Sequence, residues 1–334
     1  MCLFNLLICI FFRIFKIGRE FQQFPKLPAN VRKKVIDKMK AADRCRFTRC
    51  SRLCREEAKS SSNYVYSLDI KCWSIYELEV DVIYEQNDNN FQGFTLHFGY
   101  SKLGKQVKQY RIQNQTLYEI ELVGPINVMQ CAVEEVNKLM RIYQYSIKKM
   151  CIDGLSMYFR RNVLTGVKFE IQNLYNLEEL IIFGDIDPLQ FLTKLRKPLK
   201  ILRISCGENS ERIASCEQIY QVTDEVFCDY LEFNNQQFLR LSAKDVCINI
   251  RGLTTKEVFK FIRSWQNGTA RKNFERCSWK INNPLSFNKL KLLQLLRIDK
   301  RERGSYEIKH YSAYGKSAIL SIIWDELNFK IYRN

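Results

Sequence analysis

Histidine is nearly missing from this sequence: 334 residues carry two, His97 and His310. Both fall in strand-like runs, so a Ser–His or Cys–His nucleophile pair has few places to form. No Cys-x-x-Cys pair occurs among the thirteen cysteines. Close cysteine pairs are what structural zinc and thiol redox sites use, and their absence removes the sequence support for either. An odd number of thiols scattered from Cys2 to Cys277 also fits a disulfide framework poorly. Buried, reduced cysteines of a cytoplasmic or nuclear protein account for them better. A membrane-spanning run is missing as well. The apolar stretch Leu3–Phe12 stops at Arg13, far short of the roughly twenty residues a spanning helix needs. It also lacks the basic start and small-residue cleavage site of a signal peptide. Residues 1–23 stand as an unassigned hydrophobic leader, and any membrane role rests on residues 3–12.

Acidic residues are the other shortage. Lys and Arg number 53 against 36 Asp and Glu, a net charge of +17, which favours acidic partners: nucleic acid, an anionic membrane or an acidic protein surface. The excess is uneven. Residues 26–59 hold twelve basic side chains against four acidic ones, whereas residues 64–90 hold one against six. This change of sign suggests a module boundary near residue 60. Hydrophobic residues make up 46% and charged residues 27%, which argues for a folded chain with its own core.

After residue 64 no low-complexity linker divides the chain. YVYSLDIKCW, LEVDVIY, FTLHFGY and QYRIQ, within 64–114, are rich in β-branched and aromatic residues and predict an antiparallel sheet. Residues 126–145 have helical spacing. Short strand-like runs follow at 147–154, 177–184 and 199–205. The LxxLxI-like phrases at 177–182 and 199–204 lie 22 residues apart, inside the leucine-rich-repeat range, although the asparagine ladder position is missing. Ordinary buried strands of an α/β layer explain them equally well. A strand at 246–250, a helix at 254–265 capped by Thr254 or Thr255, a strand at 274–281 and three closing strands complete the pattern. The fold class is therefore α+β or α/β: a small helical module over 24–60, then a β-rich segment and an irregular leucine-rich-repeat-like α/β layer within the body at 61–334.

The chemical motifs fail one by one. GYSKLGKQ (99–106) approaches a phosphate-binding loop, but Gln106 replaces the hydroxyl that would hold magnesium, and the flanks read strand–strand. It predicts a hairpin turn. Cys45, Cys50 and Cys54 do not share one helical face and have no histidine near them, so they read as core thiols. Asp185 and Asp187 sit in a strand-end turn before Pro188. No catalytic residue, cofactor site or metal site is expected, and the chain reads as a non-enzyme.

Residues 27–59 carry the functional argument. Leu27-Pro28 precedes a stripe of Val31, Val35 and Met39. Asp43 can cap a second helix, on which Phe47, Cys50 and Cys54 fall three and four residues apart. Arg44, Arg46, Arg49, Arg52 and Arg55 surround that helix. Arginines so placed can meet phosphates, which makes a basic nucleic-acid-binding regulator the alternative reading. However, a module of this size is marginal alone and needs a partner surface.

With these residues laid out, the stretch resembles an F-box, in the form found in large nematode families. A second resemblance lies downstream. LTTKEVFKFIRSWQNGTARKNFE (253–275), with its Arg263-Ser264-Trp265-Gln266-Asn267-Gly268 phrase, is similar to the type 2 F-box-associated domain, as is the closing segment AYGKSAILSIIWDELNFKIY. That region covers about 215–334. The resemblance implies a substrate-receptor subunit of an SCF-type cullin-RING ubiquitin ligase. The F-box would bind a Skp-family adaptor, and through it a cullin, by way of Leu27, Pro28, Val31, Val35, Met39, Phe47 and Cys50. The body would bind a protein target, with Lys256, Lys260, Arg263, Arg271 and Lys272 as candidate contacts. Nucleic acid is not expected as a partner on this reading.

Overall fold

The computed structural model describes residues 24–39, 47, 54, 57, 65–74, 76–87, 90–101, 103–112, 115–123, 127–144, 146–154, 167–184, 186–206, 210–250, 253–269, 274–281, 287–298, 305–309, 316–323 and 326–333. Two compact units emerge, one made of residues 1–69 and 76–148, the other of 70–75 and 149–334. The leader at 1–23, Asp43, Cys45 and Cys50 lie outside the described residues.

The first unit opens with a 3₁₀ turn at Phe24–Lys26 and helix α1 (Ala29–Lys38). Pro28 stands at the N-cap, where a missing N–H leaves no bond unmade. Met39 takes an extended conformation and ends the helix. Four antiparallel strands follow: β2 (Glu77–Asn87), β3 (Asn90–Tyr100), β4 (Gln106–Ile112) and β5 (Gln115–Glu121). They pair in the order β2-β3-β4-β5. The GYSKLGKQ stretch is the β3–β4 hairpin, closed by the Ser101 N–H on the Lys105 carbonyl at 2.7 Å. Gly93 is required by close approach, because a Cβ there would collide with the Val82 carbonyl on β2. Helix α2 (Val128–Tyr143) starts at Asn127, whose side chain accepts from the Met129 N–H. Its apolar stripe (Val128, Ala132, Val136, Leu139, Met140) is buried, and the helix packs on β2 and β3. An ion pair of 3.1 Å between Lys108 and Glu135 ties β4 to α2.

The second unit contains β1 (Ser67–Ser74), most of which belongs here, and six parallel strands: β6 (Lys149–Asp153), β7 (Glu179–Phe183), β8 (Ile201–Ser205), β9 (Glu225–Phe233), β10 (Asp245–Ile250) and β11 (Arg276–Ile281). The six lie side by side in chain order. Their register stacks like positions into rungs. One is Met150, Leu180, Leu202, Val226, Val246 and Cys277; the next is Ile152, Ile182, Ile204, Cys228, Ile248 and Trp279. All twelve side chains are buried, and each full apolar burial stabilises by about 1.5–3 kcal/mol. Three antiparallel strands, β12 (Ser305–Lys309), β13 (Lys316–Ile323) and β14 (Glu326–Arg333), finish the sheet, with β14 against β11.

The connections carry α3 (Leu189–Leu192), α4 (Ser210–Ala214), α5 (Glu217–Tyr220), α6 (Asn235–Arg240), α7 (Thr255–Gln266) and α8 (Lys289–Leu296). Helix α7 opens on a capping box between Thr254 and Glu257 and gives way to Gly268 at φ 73°, a left-handed position that glycine occupies without steric cost. Phe238, Phe261, Trp279 and Phe329 meet edge-to-face or tilted, with ring centroids 5.2–6.0 Å apart. Trp265 packs on Phe329 at 5.1 Å and is buried. Its neighbour Gln266 donates to the Lys309 carbonyl at 3.2 Å. The Arg-Ser-Trp-Gln phrase thus anchors α7 to the closing strands.

Candidate functional site

The N-terminal module has a core of its own: Phe24, Ile36, Met39, Phe47 and Cys54, with Leu27 and Val35 packed against it. The Phe24 and Phe47 rings meet edge-to-face at 4.8 Å. Met39 and Phe47 are 5% and 1% exposed, so they hold the module together from inside. The side chains with surface to offer are Leu27, Val31 and Val35, half-buried, and Pro28, exposed. These four lie along the start and one flank of α1.

The module is also tied by a side chain that sequence patterning did not single out. Arg32 reaches Glu57 with two nitrogens, Nε at 2.8 Å and Nη2 at 2.6 Å. Its Nη1 donates to the Leu27 carbonyl at 2.6 Å and to the Pro25 carbonyl at 3.3 Å. The guanidinium fork suits this shared duty, since it presents several donors in one plane. One arginine therefore joins the turn before α1, the helix itself and the segment around Glu57. No sequence signal marks a pair separated by 25 positions. At least this part of the basic stretch is spent inside the module.

Residues 24–66 match the F-box domain. F-box domains generally bind Skp-family adaptors, which at the family level supports an SCF-type substrate-receptor role. The chain matches no curated protein and no solved structure.

Downstream of the F-box, the candidate target contacts separate. Lys256 and Lys260 are exposed on α7, one turn apart. Arg263 is half-buried, lies over the Phe259 ring at 5.3 Å and donates to Gln266. Arg271 and Lys272 lie outside the described residues. The cations of the parallel strands and their approaches are instead neutralised by carboxylates on the strands or turns beside them: Lys149–Glu179, Lys200–Glu178, Arg203–Glu225, Lys244–Asp224, Arg276–Asp245 and Lys280–Asp229.

The side chains that could have pointed to chemistry have structural duties. His97 Nε2 is 2.7 Å from Glu77 on the neighbouring strand. The Asp187 carboxylate accepts from the Leu189 N–H at the start of α3; Asp185 and His310 lie outside the described residues. Burial pushes the Cys72 thiol up to about 12, with Asp153 adding to the shift. Burial also raises Cys228, helped by Cys206 and Cys247. Thiols held protonated in this way are poor nucleophiles and poor metal ligands. Among the described residues, no three His, Cys, Asp or Glu side chains are grouped to hold a metal ion. Among the same residues, no helix is long and apolar enough to cross a membrane.

Proposed function

We propose that this chain is the substrate-receptor subunit of an SCF-type cullin-RING ubiquitin ligase, working in the cytoplasm or nucleus. The observation that carries the reading is the F-box match at 24–66, on a module whose small core leaves Leu27, Pro28, Val31 and Val35 accessible. An adaptor laid along that flank would complete a hydrophobic core too small to stand alone. The basic residues around it would speed association with an acidic adaptor. The protein contributes binding and placement, with no bond-making step of its own, and brings a cullin through the adaptor.

The body is the target-binding part in this reading. Six parallel strands in chain order support treating their region as an irregular leucine-rich-repeat-like coil, since successive strand-and-return units of 20–30 residues stack in that way. The Trp265 phrase and the closing strands support a type 2 F-box-associated domain of nematode kind over about 215–334. Co-purification with a Skp-family adaptor tests the proposal, comparing the wild type with a Leu27→Ala/Pro28→Ala/Val31→Asp variant whose folding is checked by circular dichroism. Stable binding lost in the variant is the expected result. A folded wild type that binds no adaptor at low or moderate salt would overturn it and make DNA and RNA the next partners to assay.

A further inference from the structure

Helices α6 and α7 and strand β11 enclose a cleft of about 330 Å³. Its apolar wall includes Phe238, Leu239, Val258, Phe261 and Trp279. Phe238, Phe261 and Trp279 brace one another edge-to-face or tilted at 5.2–5.7 Å, so this part of the wall is stiff. Leu239 is 60% exposed, an apolar side chain left in water beside an apolar cleft.

The polar groups of the wall sort into used and unused. The Glu257 carboxylate accepts from the Thr254 N–H at 3.0 Å and hydroxyl at 2.8 Å, so it is spent on capping α7. The Ser264 hydroxyl donates to the Phe261 carbonyl at 2.8 Å. By contrast, the indole N–H of Trp279 is buried and has no acceptor among the described residues. A buried donor without a partner is rare and unfavourable.

Charge fixes the rest. Lys260 lines the cleft and Lys256 stands one turn before it. Among the described residues neither has an ion pair, although the cations along the adjoining strands are neutralised. The cleft therefore offers one apolar seat beside two lysines and one carboxylate, Glu257, already held by Thr254, so its rim carries a net positive charge.

We infer that this cleft receives an acidic peptide segment of a target protein, with one large apolar side chain seated between Leu239, Val258 and Phe261 and flanking carboxylates facing Lys256 and Lys260. The inference rests on the receptor reading and gives the target a chemistry: Asp/Glu-rich with an aromatic or aliphatic anchor. Apolar anchors in pockets carry most of the affinity at such sites, and charges at the rim supply steering.

The test uses the full chain and a fluorescein-labelled peptide, Asp-Asp-Phe-Asp-Asp, read by fluorescence anisotropy. Companion peptides replace Phe by Gly or all Asp by Lys. The wild type is expected to bind the Phe peptide about tenfold tighter than the Gly peptide and to bind the Lys peptide least. Lys256→Glu/Lys260→Glu and the rim variant Leu239→Asp change exposed positions, and each is expected to lose about tenfold in affinity with an unchanged circular dichroism spectrum. Equal binding of the Phe and Gly peptides, full affinity in Leu239→Asp, or no binding by about 1 mM peptide would overturn the proposal. So would preferential binding of a single-stranded DNA decamer that displaces the peptide. Adaptor co-purification is scored on the same preparations. A cleft that fails while the adaptor is retained refutes only this inference, whereas adaptor loss from the folded wild type refutes the receptor reading on which it rests.

Discussion

Replacing Arg32 by alanine should loosen the F-box without touching its apolar core. The side chain makes two contacts with Glu57 and two with backbone carbonyls at 2.6–3.3 Å. Arg32 and Glu57 are only 18% and 15% exposed at their side chains, so water screens the pair incompletely. A charge-assisted bond in such a setting is worth about 1.5–3 kcal/mol. A loss of about 2 kcal/mol multiplies the unfolded population of the module roughly thirtyfold. Hydrogen–deuterium exchange of peptides covering α1 reads this directly, because local opening sets the exchange rate there. In Arg32→Ala these amides should exchange roughly thirtyfold faster than in the wild type, with the sheet peptides of β2 and β3 unchanged. Arg32→Lys should recover only part of the protection, since an ammonium cannot reproduce the planar fork. Wild-type exchange in Arg32→Ala would refute the reasoning, showing that the five-residue apolar cluster holds the module unaided.

Three further outcomes follow from the packing. Gly93→Ala should destabilise the first unit by about 1–3 kcal/mol, visible as a lowered unfolding midpoint; an unchanged midpoint would mean that the Val82 backbone can yield. At Glu135, burial pushes the carboxyl up, but the Lys108 and Lys138 ammoniums outweigh it and leave the group below its ordinary value of 4.5. A carboxyl depressed in the folded state adds stability that is full above its unfolded value and is lost as pH falls through the folded one. The stability gap between the wild type and Glu135→Gln, measured by urea denaturation, should therefore be present at pH 7 and close under acid; a gap that persists at pH 2 would contradict this. Iodoacetamide at pH 8 should leave Cys72 and Cys228 unmodified in the native chain, because burial raises both thiols; labelling of either, mapped by mass spectrometry, would count against the packing described.

Much of the architecture was legible where the signal is short-range. Thr254 with Glu257 three residues on announces the start of α7, and the alternation in SAILSIIW announces β13. The Leu27-Pro28 stripe pointed to the F-box for the same reason, that apolar spacing on one helix is written within a dozen residues. Strand β9 was hidden because its alternation slips. Val226 and Cys228 face the core, then Leu231 and Phe233 do so out of phase. The slip is a bulge in which Tyr230 takes a positive φ of 66°. The edge strand β5 went unread although Tyr118, Glu119, Ile120 and Glu121 alternate apolar with polar; the structure leaves Glu119, Ile120 and Glu121 all exposed.

The sequence by itself determined the local grammar: which segments turn helical, where they are capped, and that the N-terminal stretch carries an F-box pattern. Tertiary structure alone decided which members of that pattern face outward. Met39 continues the apolar spacing of Val31 and Val35, yet it turns inward and joins Phe24 and Phe47 in the core. It also decided that Arg32 finds Glu57, that six strands stack in chain order, and that the buried Trp279 meets Lys260 at one cleft. Spacing along a chain reports only the angle at which a side chain leaves its own element. What that side chain then meets depends on partners tens of residues away, brought to it when the elements pack.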